Sequence, residues 1–277
     1  MQYSSGILKK PTSLKSEDIV GFNNDYFWIL DGATPPASKK NREATQLYIK
    51  LLNASLSYFS LENVCPAELL KKSIRNVKRT YEKTYPLDNS DYLPYSTAII
   101  IKLSDALEYL VLGDSFLSVC TGDQTIEICD DRLKRVAVTE RQEVRRLREK
   151  GIDESTDIYI NARRKLIEAE MQLQNKENGY WVAGFNESAA DNSITGKIIL
   201  NEGQKTFSIT AMTDGLARLV THLGAYQNIN EIGKDIVEHG ANNIFEKLRT
   251  LESNKTNFIK PISSQHDDAS FFIISNS

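Results

Sequence analysis

The stretch that decides the fold is residues 96–128, STAIIIKLSDALEYLVLGDSFLSVCTGDQTIEI. It divides into four short runs rich in β-branched and aromatic residues: STAIIIKL, ALEYLVLG, SFLSVCT and, reaching Cys129, QTIEIC. Turn residues separate them, so the segment reads as an antiparallel meander. Gly122-Asp123 is the expected hairpin turn between the last two runs.

Working outward, sheet-like and helical blocks follow one another. Upstream, YFWIL (26–30) is a buried-type strand, stopped by Asp31-Gly32 and then by Pro35-Pro36. Over 41–59 the apolar residues Ala44, Leu47, Leu51, Ala54 and Tyr58 recur at steps of three and four, which predicts a helix. Pro66 suits the first turn of a second helix, whose stripe is Leu70, Ile74, Val77 and Tyr81 with Lys and Arg on the solvated face. Downstream, 139–150 is charged and helical, and 157–174 carries a stripe at Tyr159, Ala162, Leu166, Ala169 and Leu173. Together they predict a helical insertion over 139–176, either core-covering helices, the commoner outcome, or a flap. Trp181, GKIIL and TFSITAM restore β character, helices follow Asp214-Gly215 and span 229–248, and ASFFIIS closes as a strand. Strands in meanders and helices in pairs, without βαβ alternation, predict α+β layers. With no internal repeat or long linker, a single domain over 1–277 is expected.

Composition narrows the function classes. The chain has 277 residues, 40% hydrophobic and 26% charged, with a net charge of -3, an ordinary globular profile. That slight acidity argues against nucleic-acid binding, which usually needs a strongly basic face. Cys65, Cys120 and Cys129 show no CxxC spacing, so a reducing compartment is expected, with the latter two as buried, inert thiols. The N-terminal MQYSSGILKKPTSLKSED lacks the apolar core of a signal peptide, and no run approaches transmembrane length. A cytoplasmic protein with no membrane partner is expected; nothing marks its oligomeric state.

The chemistry lies in four acidic marks. Asp31-Gly32, Gly113-Asp114-Ser115 and Asp214-Gly215 each close an apolar run, and Asp267-Asp268 opens one. Any one of them alone reads as a turn, because Asp bonds its own backbone and Gly accepts positive φ. As a set, carboxylates gathered at strand ends are what a hard divalent cation needs. Glycine beside a carboxylate also lets a backbone carbonyl approach an ion. The expectation is a metal-dependent hydrolytic site at the rim of a β-rich core. Consistent with this, GxSxG, HExxH and a Cys motif with a following Arg are all absent, and Ser115 reads as a turn hydroxyl.

The ordered set Glu17-Asp18, strand-Asp31-Gly32, Ser96-Thr97-Ala98, strand-Gly113-Asp114-Ser115, Thr213-Asp214-Gly215 and Asp267-Asp268-Ala269-Ser270-strand resembles the metal-dependent protein phosphatases of type 2C, in a bacterial-like form. The resemblance covers essentially the whole chain. It implies a four-layer α-β-β-α sandwich, two mostly antiparallel sheets flanked by helices, with two or three Mn2+ or Mg2+ ions at one end. Asp31 then resembles the carboxylate bridging two ions, and Gly32 the carbonyl donor. Asp214 and Asp267 resemble further ligands, Glu17 holds an ion through water, and Asp114 binds a weaker third one. The catalytic residues implied are Asp31 and Asp214, with Asp18, Asp268, His266 and Ser13 in supporting places. The implied reaction is hydrolysis of phosphoserine or phosphothreonine in a phosphorylated protein, by attack of a metal-bound hydroxide.

Departures from the family pattern are specific. Ala33-Thr34-Pro35 replaces the glycines after Asp-Gly, and Ala33 stands where many members have a histidine. Ser13 takes the place of a phosphate-gripping arginine, with Lys9, Lys10 and Lys15 nearby, and Thr139-Glu140-Arg141-Gln142 replaces a Thr-x-Asp-His stretch. They open two alternatives: a binding or regulatory module with little turnover, or a hydrolase of small phosphate esters. His222 and His239 read as surface residues, and His266 as a structural histidine before an acid.

Overall fold

The computed structural model describes residues 1–33, 39–85, 93–122, 124–199, 207–260 and 264–276, with side chains in the first helix from Glu43 onward. Thr34, Pro35-Pro36 and Asp123 lie outside the described residues. One five-stranded sheet runs β1 (Gln2–Leu8), β10 (Ala269–Asn276), β9 (Phe207–Met212), β6 (Phe116–Thr121), β7 (Gln124–Cys129). The other, also five-stranded, runs β2 (Asp18–Asn23), β3 (Tyr26–Ala33), β4 (Tyr95–Leu103), β5 (Ala106–Leu112), β8 (Ile194–Ile199). Every described ladder is antiparallel.

The unbroken apolar run of β3 has a physical cause: both of its faces are buried. Side chains alternate along a strand, so Phe27 and Ile29 point between the sheets, with Ile99, Val111, Leu117, Ile209 and Phe272. Tyr26, Trp28 and Leu30 point the other way, onto α1 (Lys39–Phe59) and α2 (Pro66–Tyr81) through Tyr48, Leu52, Leu56, Leu70 and Ile74. On the first sheet, Met212, Phe271 and Ile273 face α6 (Asp214–Thr221), α7 (Ile229–His239) and α8 (Ala241–Glu252) through Leu216, Ile232, Ile236, Ile244 and Leu248. The layers are therefore helix, sheet, sheet, helix, as expected. Each fully buried aliphatic or aromatic side chain contributes roughly 1.5–3 kcal/mol, so these three layers of contact dominate stability. Between β7 and β8 lie α3 (Val138–Glu149) and α4 (Asp157–Leu173), which share a small core of Val144, Leu147, Tyr159, Ala162 and Leu166. A one-turn α5 (Ser188–Asp191) completes the helices. Among the described residues, no helix is long and apolar enough to cross a membrane.

Several expectations change. The core face of α1 is Ala44, Tyr48, Leu52 and Leu56, whereas Tyr58 is 66% exposed and Leu47 and Leu51 flank the core. The helix lies against both β3 and α2, so its buried arc is wider than one stripe and is centred one position later. The helix over 229–248 is two helices, broken at Gly240, whose φ of 86° no regular helix accepts. Trp181 belongs to no strand; its segment makes only the isolated bridges Ser96–Ala183 and Gln174–Tyr180. Cys120 and Cys129 are half-buried rather than buried, and Cys65 is exposed. His222 is half-buried, not a surface residue.

Candidate metal centre

Strand register brings the acidic marks together. Asp18 opens β2 directly opposite Asp31, near the end of β3. At the same edge of that sheet Asp31 pairs with Thr97 and Ala33 with Tyr95, while β5 ends at Leu112 and hands over to Gly113-Asp114. In the other sheet Phe116, Met212 and Phe271 are aligned neighbours, so β6 begins, β9 ends and β10 begins at one edge. Asp114 precedes the first, Asp214 follows the second and Asp267-Asp268 precedes the third. Because Gly113–Ser115 spans from one sheet to the other, the two edges are the same end of the sandwich.

Hydrogen bonds lock this end. Asp18 Oδ2 accepts from Thr213 Oγ1 at 3.0 Å and from Ser270 Oγ at 2.8 Å, tying the two sheets across the rim. Asp18 Oδ1 is buried with no hydrogen-bond partner among the described residues. Asp268 has a different task. Its Oδ1 accepts from Lys10 N at 2.6 Å and its Oδ2 from Glu17 N at 2.7 Å, so one buried carboxylate staples both ends of the loop from Lys10 to Glu17. Ser13, buried inside that loop, closes a turn through its N–H to Lys10 O at 3.0 Å. Gly32 N donates to Glu17 O at 3.0 Å, setting Glu17 beside the Asp31-Gly32 pair. At Gly215 a Cβ would stand 1.8 Å from Asp268 O, so only glycine lets α6 start this close to β10. Thr97 and Ser115 share a hydroxyl contact of 2.7 Å at the same rim.

The electrostatics are those of like charges held together. Burial raises Asp31 well above the usual carboxylate range, and the charges of Asp18, Asp214, Asp267 and Asp114 raise it further. Asp18 is likewise raised well above, first by burial and then by Asp268. Asp214, hydrogen-bonded to Asp31, is pushed up to about 6 by burial and by Asp114. Asp267 is pushed up to about 6, again mainly by burial, with Asp214 next. Burial also raises Asp114, opposed by the positive charges of Lys134 and Arg141. The Arg141 guanidinium is itself held by Glu170 Oε1 at 2.6 Å and the Leu133 carbonyl at 3.1 Å.

Lys10 is the one of the three flagged lysines that joins the cluster. Its Nζ is 3.7 Å from Glu17 Oε2, and Glu17, Asp267, Asp268 and Asp31 hold its pKa up against burial. Lys9 Nζ instead donates to Leu14 O at 3.5 Å on the exposed side.

The sequence reading missed a set of buried charges behind Asp267. Arg218 of α6 donates from Nη2 to Asp267 Oδ2 at 2.6 Å and from Nη1 to Glu252 Oε1 at 3.4 Å. Arg249 donates to Glu252 Oε2, to Asp267 O at 2.8 Å and to Lys9 O at 3.1 Å. His266 Nδ1 lies 2.9 Å from Glu252 Oε2, which makes it a member of this set. One signal was available, an arginine inside the apolar run GLARLV. Glu252 and Arg249 lie in an ordinary charged helix end and carry none.

A hard cation fits this donor set: the converging side chains offer carboxylate oxygens, and Asp18 Oδ1 is buried without a partner among the described residues. Among the described residues no three His, Cys, Asp or Glu side chains stand close enough together to hold an ion as they lie.

Comparison with solved structures places the fold. The chain is similar to the Mycobacterium tuberculosis serine/threonine phosphatase PstP/Ppp, with a TM-score of 0.57 and 14% identity, over 99% of this chain and 97% of that one. It is similar to the photosystem II phosphatase PBCP, with a TM-score of 0.58 and 14% identity, over 100% and 98%. The catalytic domain of PstP has also been solved in complex with 2 manganese ions, and matches with a TM-score of 0.56 at 13% identity over 99% of this chain and 97% of that one. No family sequence model and no curated protein matches the chain. At these identities the likeness establishes the fold, that of the PPM serine/threonine phosphatases.

Proposed function

We propose that this chain is a Mn2+- or Mg2+-dependent phosphatase acting on phosphoserine or phosphothreonine in proteins. The observation that carries the reading is the convergence of Asp31, Asp214 and Asp267, all with raised pKa values, at one end of a sandwich of the PPM fold. Asp31, Asp214 and Asp267 would hold the ions, with the Gly32 carbonyl and Glu17 contributing and Asp114 serving a further ion. When bound, the cations supply an acidified water near neutral pH and offset charge on phosphoryl oxygens. The chain's own residues do the rest. Asp268 and Asp18 keep the loop from Lys10 to Glu17 and the two sheets in register, through the hydrogen bonds above. Lys10, with a side chain 26% exposed and its Nζ 3.7 Å from Glu17, would be the cation that meets a substrate phosphate, near Ser13 in the place of the family's arginine. It offers a point charge, not a bidentate fork. We place the protein in the cytoplasm as a single domain, its three cysteines free.

The test is Mn2+-dependent hydrolysis of an aryl phosphate and of a phosphothreonine peptide by the full chain, beside Asp31→Asn and Asp214→Asn. Metal-dependent turnover lost in both variants supports the reading. Absence of turnover, or turnover indifferent to both substitutions, overturns it. Lys10→Ala should raise KM for the peptide several-fold more than it lowers kcat.

A further inference from the structure

Arg218 is 3% exposed and Glu252 is fully buried, an expensive placement for charge that no step of the proposed reaction uses. Its geometry aims at one carboxylate. Arg218 Nη2 holds Asp267 Oδ2 at 2.6 Å, while the other oxygen, Oδ1, accepts from Asp268 N at 3.1 Å. With both oxygens engaged, the plane of the Asp267 carboxylate is defined. Arg218 is itself fixed from behind by Glu252 Oε1 at 3.4 Å and the carbonyl of Ser264 at 3.2 Å.

We propose that Arg218 is a positioning residue, which sets the Asp267 carboxylate for cation binding without touching the substrate. The inference rests on the metal-dependent reading above. Two opposing effects must be weighed. A guanidinium near a cation site repels the cation, yet Glu252 lies against the same guanidinium and offsets its charge. Orientation is what replacement would remove. A guanidinium fork is planar and directional in a way an ammonium is not. Residues that orient metal-ligating side chains typically contribute about 10–100-fold in metal affinity. Arg249 extends the frame, since it grips Glu252 and the carbonyls of both Asp267 and Lys9.

The experiment is calorimetric Mn2+ titration of the full chain in five forms: wild type, Arg218→Gln, Arg218→Lys, Asp267→Asn and the Arg218→Gln/Asp267→Asn double variant. Arg218→Gln should weaken Mn2+ binding about 10–100-fold, with Arg218→Lys in between. In the Asp267→Asn background the same substitution should change affinity by less than about twofold, since the arginine then has nothing to orient. In turnover, the Arg218→Gln defect should shift the Mn2+ concentration for half-maximal rate and vanish at saturating Mn2+. Mn2+ bound to Arg218→Gln as tightly as wild type, or more tightly, overturns the proposal, as does an undiminished effect in the double variant. Should Arg218→Gln fail to fold, Glu252→Gln decides by the same readings. It should weaken Mn2+ binding several-fold in the wild-type background and not in Asp267→Asn. Wild type that binds no Mn2+ overturns the metal-dependent reading itself, a failure distinct from that of Arg218 alone.

Discussion

Two clusters of buried charge lie side by side at one end of the sandwich, and they follow opposite rules. Around Glu252 opposite charges meet: Arg218 and Arg249 converge on one fully buried carboxylate, and the His266 imidazole lies against the same group. Around Asp31 the charges accumulate. Asp18 faces it across the β2–β3 pair, and Asp214, Asp267 and Asp114 add to the same field. Like charges directly opposite on paired strands are destabilising, so this second cluster is a cost to the fold by itself. The difference teaches that one cluster is closed within the chain, while the other is open to a partner from outside, which we propose is a divalent cation.

The sharpest way to break this comparison is Asp31→Asn. Mn2+-dependent turnover should fall about 10⁴-fold or more, as for other essential groups of a catalytic set. The metal-free protein should at the same time melt higher at pH 7, because a carboxylate whose pKa is raised destabilises the folded state in its ionised form. A metal-free variant that is less stable than wild type would mean Asp31 is structural, and the contrast would collapse. The opposite sign is expected of Glu252→Ala. It removes the buried carboxylate shared by Arg218 and Arg249, leaving Arg218 with Asp267 as its one acidic partner among the described residues, and breaking such a buried set costs about 3–5 kcal/mol in urea unfolding. A loss below about 1 kcal/mol would place the cluster among surface pairs in energy.

Between the clusters sits the start of α6, and Gly215→Ala probes the seam. The added Cβ would meet Asp268 O at 1.8 Å, so α6 and β10 must separate. Overpacking of this kind costs about 1–3 kcal/mol. Because Asp268 also staples Lys10 and Glu17, the same substitution should weaken Mn2+ binding in a calorimetric titration. Unchanged stability with unchanged Mn2+ affinity would mean the seam is loose.

What could be read from the sequence divides along the same line. The open cluster was legible because each aspartate ends or begins an apolar run, and register then brings strand ends together without further information. The closed cluster was not, since Arg218, Arg249, Glu252 and His266 meet only through the tertiary packing of α6 and α8 on the chain's C-terminal segment. β1 escaped for a related reason: QYSSGIL is polar and largely exposed, and it becomes a strand by pairing with the buried β10. The true core face of α1 was hidden because two neighbours, not one, bury it. The separate fates of Asp267 and Asp268 were equally invisible, as only the folded chain shows that Asp268 staples the loop from Lys10 to Glu17 while Asp267 meets Arg218.

The smallest effect tests whether α6 carries a third kind of charged group, one that stays neutral. Burial, reinforced by Arg218, lowers His222 to about 4, and its Nδ1 lies 2.7 Å from Thr221 Oγ1. The ordinary histidine pKa is near 6.5, so between these values the unfolded chain takes up a proton that the folded chain refuses. Stability from this group is therefore complete above about pH 6.5 and is lost as pH falls toward 4. The raised aspartates push the other way over the same range, since their folded forms bind protons first. The comparison must therefore be between wild type and His222→Gln, melted in parallel across that window. Discounted for partial exposure, His222 should account for about 1 kcal/mol of the difference at pH 4 relative to pH 7. Parallel curves for the two proteins would show that the imidazole is solvated, and that the buried charge of α6 begins and ends with Arg218.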